Sequence, residues 1–259
     1  MRTFFASTLI VTLMFCHHGW ARTISWSGHE WVVKSSQEPF GPGPNLWSNS
    51  QESVRVDDAG RLHLKIRKIG DRWHAAEIYA LKSLGYGKYI FYLDSRVDNL
   101  DSNVVAGLFI HSDDTHEVDI EFSKWGQSKK YTYHQFVIQP RVDDGNIHRS
   151  EYRVRSPMTA HGFRWAPDSI NFRSFVGHET QNKAPQKSWD YIGRHNPAAK
   201  SERVHINLWL YKGQPPTDEN EAVLVVDKFD FIPLDQLQKT TDRPTQNDAQ
   251  AAKRNNNAF

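Results

Sequence analysis

Short runs of alternating apolar and polar residues recur about every ten to fifteen positions from Ile24 to Ile232, each closed by Gly, Pro, Asn or Asp. Side chains on a strand point alternately to opposite faces, so such runs suit a surface buried on one side. No convincing amphipathic helix interrupts them. Residues 24–34 read as a first strand. Gly41-Pro42-Gly43-Pro44-Asn45 is a dense turn cluster, and 54–56, the turn at 57–60 and 62–66 have hairpin grammar. Further strands are predicted over 76–81, 88–96, 104–111, 131–139, 148–154, 162–166, 169–175, 203–211 and 222–232. Many short strands with turn residues between them specify an all-β sandwich or jelly roll.

One strand is chemically unusual. In Glu117-Val118-Asp119-Ile120-Glu121-Phe122 three acids alternate with three apolar residues. All three carboxyls then share one face, where like charges raise one another's pKa. Cα atoms four residues apart lie about 13 Å apart along a regular strand, and two glutamates leaning toward each other bring their carboxyls to about 5–6 Å. That matches the roughly 5–5.5 Å between the carboxyls of a retaining glycosidase, and not the wider gap of an inverting one. The bland alternative is the solvated face of an ordinary sheet. A calcium loop is a third reading, weakened because such loops turn sharply at glycine whereas Val118 and Ile120 imply a straight strand.

At 259 residues the chain can bury an ample core as one all-β domain. Its net charge of +2, with both signs mixed along the sequence, gives no nucleic-acid-binding patch and selects no partner. Nine Trp is high for this length, and rings along a cleft can stack on sugars. Arg2, the apolar run 4–15 and Gly19-Trp20-Ala21 read as a signal peptide over residues 1–21, which implies a secreted or periplasmic protein. The run is short for a membrane span, and no other segment approaches one. Cys16, the single cysteine, falls inside it. The catalytic-type domain is then expected over 22–235, followed by a polar, disordered tail over 236–259. No His-Glu-x-x-His metal motif, phosphate loop or Gly-x-Ser-x-Gly elbow is present.

The ordered set of motifs resembles glycoside hydrolase family 16, the concanavalin A-like jelly-roll β-glucanases. Residues 117–122 look like its Glu-x-Asp-x-Glu strand, and Leu84-Gly85-Tyr86-Gly87-Lys88-Tyr89 like its glycine-tyrosine turn. Residues 163–170, 204–209 and 226–229 resemble its later segments, so the likeness runs from about Ile24 to Pro233. It implies two antiparallel sheets with a concave substrate cleft. It also implies Glu117 as nucleophile, Glu121 as general acid and base, and Asp119 as their assistant. Glu77, Asn207 and Trp209 match substrate-contacting positions. Asn45 and Trp47 are expected at one end of the cleft, and His134 and Gln135 as donors to sugar hydroxyls. The family requires no cofactor, although Asp227 aligns with a residue that helps bind a structural calcium in some members. A polysaccharide substrate and a monomer are expected.

Departures from the family touch the sugar. Tyr79 stands where lichenase-like members often carry Arg, and Thr115 or His116 replaces an aromatic residue. The strand also lacks the extra residue before its final glutamate that laminarinase-like members show. The linkage cleaved is therefore left open, as are transfer to a sugar instead of water and a noncatalytic carbohydrate-binding jelly roll.

Overall fold

The computed structural model describes residues 21–241. The expected signal peptide, apart from Ala21, and positions 242–259 of the expected tail lie outside the described residues. In chain order the strands are β1 (Thr23–Trp26), β2 (His29–Val33), β3 (Leu46–Trp47), β4 (Val54–Val56), β5 (Leu62–Ile69), β6 (Arg72–Ala80), β7 (Gly87–Asp94) and β8 (Val104–Asp113). They continue with β9 (His116–Ser123), β10 (Thr132–Ile138), β11 (Ile147–Tyr152), β12 (Met158–Ala166), β13 (Ser169–Val176), β14 (Lys187–Tyr191), β15 (Arg203–Leu210) and β16 (Ala222–Pro233), before helix α1 (Leu234–Thr241).

The strands follow one curved path, β11-β10-β9-β8-β15-β6-β5-β16-β7-β12-β13-β14, folded on itself into two facing layers. The joint is the β5–β6 hairpin, whose pairing of Arg67 with His74, Lys68 with Trp73 and Ile69 with Arg72 carries the chain from one layer to the other. Beyond β6 the first layer is extended by β2 and β1, while β4 pairs with β5 in the second. Pairing is antiparallel except between β3 and β6.

The core forms where the inner faces meet. Val118, Ile120 and Phe122 of β9, Phe136 and Ile138 of β10, and Leu108 of β8 are buried against Tyr89 and Phe91 of β7, Phe163 of β12 and Phe172 of β13. Phe136 and Phe172 stack across the gap with ring centroids 4.7 Å apart. Period two turns the alternate residues of β9, β8, β15 and β6 outward, and these build the cleft.

Three expectations are corrected. Residues 24–34 form a hairpin, because Ser27 and Gly28 both adopt positive φ (48° and 76°) and reverse the chain between β1 and β2. Two such residues make the turn whose twist suits paired strands. Strand β14 was not anticipated; in Lys187–Tyr191 the exposed Ser188 and Asp190 alternate with Trp189 and Tyr191, which pack on the core. The expected tail boundary at 236 falls inside α1, which starts where the backbone N–H of Leu234 donates to the carbonyl of Tyr86. Among the described residues no helix is long and apolar enough to cross a membrane.

Candidate active site

Strand β9 is regular where it matters. Its register with β10 runs unbroken from Val118 to Ser123, and that with β8 from Glu117 to Ser123. Glu117, Asp119 and Glu121 consequently lie on one face and line a cleft of about 640 Å³. Register with the neighbouring strands arranges this face in rows. One row crosses the sheet as Gln135, Glu121, Gly107, Asn207 and Glu77. The next runs Val137, Asp119, Phe109, His205 and Tyr79, and Glu117 faces His111 in a third.

The acids differ in their surroundings. Asp119 is buried, and burial followed by the adjacent Glu117 and Glu121 pushes its carboxyl well above the usual range; a hydrogen bond with Glu117 adds to this. Burial in the cleft floor also raises Glu121, to about 7, assisted by Glu117 and opposed by a 2.7 Å hydrogen bond from Gln135 Nε2. The Oε2 atom of Glu117 lies 3.5 Å from His111 Nε2. A buried carboxyl raised toward neutrality beside a second carboxyl is an arrangement able to offer a proton donor next to a nucleophile.

The far end of the cleft is organised around Glu77, which is 2% exposed. Burial opposes its charge, yet hydrogen bonding and attraction from His205 and then Lys34 outweigh burial and hold its pKa below the ordinary value. His205 Nδ1 and Lys34 Nζ each lie 2.9 Å from its carboxylate. Asn207 Nδ2 donates to it at 3.5 Å, leaving the buried Asn207 Oδ1 without a partner. Phe109, His205 and Tyr79 form a stacked run along the cleft, with centroids 4.8 and 5.4 Å apart. Trp209 lines the cleft and meets Trp125 edge to face.

Other candidates sit elsewhere. His134 faces the interior: it is fully buried between Phe122 and Tyr152, its Nε2 is 3.0 Å from Ser174 Oγ, and burial drives its pKa far down. The expectation that it meets sugar is corrected, since period two turns it into the core; Gln135 takes the opposite face of the sheet but is itself 1% exposed, with its amide engaged by Glu121 and Arg149. Asn45 does not line the cleft either. Its amide clamps the backbone, donating to the carbonyls of Pro42 (2.8 Å) and Leu210 (2.9 Å) and accepting from Leu210 N–H. Trp47, 1% exposed, lies under Lys34, whose Nζ is 3.9 Å from the ring centroid. Asp227, at a register shift in β16, has His178 Nδ1 3.6 Å away. One carboxylate beside an imidazole does not fit calcium, which takes six to eight oxygens, and among the described residues no group of three or more His, Cys, Asp or Glu could hold a metal.

Lys34, His205, His111, Gly107 and Arg149 also belong to the site and were not anticipated. For His205 the signal was available, since it shares a face with Asn207 and Trp209; for Lys34 and Arg149 it was not, because their partners are set by strand pairing.

No family model matches the chain, and no curated protein does. Solved structures do match. A β-glucanase from Bacillus licheniformis is 15% identical, with 78% of this chain and 91% of that one covered at a TM-score of 0.56. A β-1,3-glucanase from Mycobacterium marinum is 14% identical, covering 78% and 90% at 0.61. A protein of Mycobacterium tuberculosis described as an immunostimulatory antigen and pseudo β-1,3-glucanase is 15% identical, covering 78% and 90% at 0.60. Identity this low establishes architecture alone, and by its architecture the chain is a jelly roll of the β-glucanase type.

Proposed function

We propose that this chain is a retaining endo-glycosidase that cleaves a β-glucan-type polysaccharide through a covalent glycosyl-enzyme, and that it works outside the cytoplasm, as its leader-like N-terminus suggests. The observation that carries the reading is Glu121, which holds a proton up to about pH 7 beside Glu117 in the floor of an open cleft. The carboxylate of Glu117 attacks the anomeric carbon as the bond to the leaving oxygen breaks, and Glu121 gives that oxygen its proton. Esterification removes the charge of Glu117, so Glu121, now ionised, can take a proton from water. That water attacks the same carbon, the ester bond breaks, and both acids return to their starting states. Asp119, kept protonated by burial, donates to Glu117 and fixes its orientation.

A noncatalytic carbohydrate-binding jelly roll is the second reading, favoured by the structural neighbour described as a pseudo-glucanase. One experiment separates them. Wild type and Glu117→Gln are incubated with lichenan, laminarin, xyloglucan, agar and carrageenan, and reducing ends are measured. The hydrolase reading expects turnover of at least one polymer, lost by about 10³-fold or more in the variant while binding persists. Wild-type inertness on all five, with binding to any, favours the second reading. Adding an oligosaccharide acceptor distinguishes transfer from hydrolysis.

A further inference from the structure

Gln135 sits between Glu121 and Arg149 in the same sheet row, paired with Glu121 across β9–β10 and with Arg149 across β10–β11. The side chains follow the backbone register. Arg149 Nε donates to Gln135 Oε1 at 2.7 Å, and Gln135 Nε2 donates to Glu121 Oε2 at 2.7 Å. We propose that Arg149 and Gln135 are positioning residues that fix which oxygen of Glu121 carries the catalytic proton. The proposal rests on the glycosidase reading.

An amide can turn over and exchange its oxygen for its nitrogen, but a guanidinium has donors only. The Arg149 contact therefore admits one orientation, with Oε1 toward Arg149 and Nε2 toward Glu121. An N–H aimed at Glu121 Oε2 cannot also face a proton on that atom, so in the acid form the proton belongs on Oε1. After it has been delivered, the same N–H stabilises the carboxylate at Oε2. The relay thus serves both halves of a double displacement without moving. The guanidinium is itself seated, with its carbon 5.5 Å from the centroid of Tyr133 and 5.9 Å from that of Trp125. Trp125 is held at positive φ (53°) by Ser123, whose Oγ accepts its backbone N–H at 2.9 Å. Against burial and the neighbouring Glu117, which push that carboxyl's pKa up, the amide, then Arg141 and then Arg149, two strands away, pull it down.

The test uses the full chain and reads the carboxyl directly. The Glu121 side chain, assigned by its disappearance in Glu121→Gln, is titrated by ¹³C NMR in wild type, Arg149→Met, Gln135→Met and the double variant. Circular dichroism checks that each is folded. The midpoint is expected to move upward in Arg149→Met, and the double variant is expected to shift by less than the sum of the two single variants, because Arg149 acts partly through the amide and partly by its own charge. Arg149→Lys, which keeps a donor, is expected to restore part of the difference. On whichever polymer wild type cleaves, kcat should fall about tenfold in Arg149→Met, the size of one oriented hydrogen bond, and the alkaline limb should move upward with the carboxyl. An unmoved midpoint in Arg149→Met overturns the proposal. So do additive effects in the double variant, which would mean that Arg149 acts only through its field. Failure of the glycosidase reading looks different: wild type cleaves nothing, or Glu121→Gln leaves cleavage intact, whatever the titrations give.

Discussion

Gly107 and Asn207 face each other across β8 and β15, and a Cβ on residue 107 would stand 2.5 Å from Asn207 Oδ1. The missing side chain is what leaves room for the Asn207 amide in the cleft floor between Glu77 and Glu121. Gly107→Ala should displace the amide, with a stability loss of about 1–3 kcal/mol from overpacking and a larger loss of activity. Denaturant unfolding and kcat/KM on the cleaved polymer check both. Activity equal to wild type would show that the position of Asn207 is immaterial to turnover.

Activity should decline as pH rises past about 7, where Glu121 loses its proton. The same group sets a stability trend of definite sign. Its pKa is raised on folding, so its contribution is full below the unfolded carboxyl's ordinary value and is lost as pH climbs through about 7. Glu121→Gln should therefore be the more stable protein at pH 8, by on the order of 1–3 kcal/mol, with little gain at pH 4. Thermal melts at the two pH values measure the crossover.

Glu77 obeys the opposite sign. Its pKa is depressed by His205 and Lys34, so its stabilising contribution is present above the unfolded carboxyl value and disappears as pH falls through its folded value. Lys34→Met leaves a buried carboxylate short of a partner and frees the 35–44 segment, which Lys34 ties down through the carbonyl of Gly41 at 2.9 Å. A loss of about 2–4 kcal/mol at pH 7 is expected, narrowing in acid. Urea unfolding at pH 7 and pH 4 tests this.

His161 is buried against Ser174 and Thr159, and burial lowers its pKa to about 3. Depression of an imidazole means that the unfolded chain takes up its proton first, so stability falls as pH drops from about 6.5 toward 3. His161→Phe should lose stability at pH 7, because the Thr159 and Ser174 hydroxyls both lose the imidazole and Ser174 keeps only His134, yet show a shallower decline over that acid window. A decline as steep as that of wild type would mean that His161 does not drive acid unfolding.

Much of this molecule is written locally. The alternation of β9 is enough to put Glu117, Asp119 and Glu121 on one face, and the fold keeps them there because Val118, Ile120 and Phe122 have a core to enter. The misplacement of His134 was avoidable: Phe136 and Ile138 share its parity, and two apolar neighbours in step point inward. The Ser27-Gly28 reversal is marked in the sequence by a turn dipeptide between two alternating runs. By contrast, neither the Lys34 contact with Glu77 nor that of Arg149 with Gln135 leaves a local trace. Each depends on which strands become neighbours, and that is decided by closure of the whole sheet. Asn45 misled for a related reason, since an amide beside a turn cluster looks available until Leu210, 165 residues later, claims it.

Strands β15 and β16 enter the middle of their layers, β15 between β6 and β8 and β16 between β5 and β7. Neither layer can close until residues 203–233 arrive, so a polypeptide still being synthesised holds three separate pieces of sheet, β11-β10-β9-β8, β6-β5 and β7-β12-β13-β14, with unmatched edges. Maturation is consequently a late, nearly all-at-once event dominated by distant pairings, which are slow to form, and any fragment stopping before residue 203 should be sticky and shapeless where the intact chain is folded.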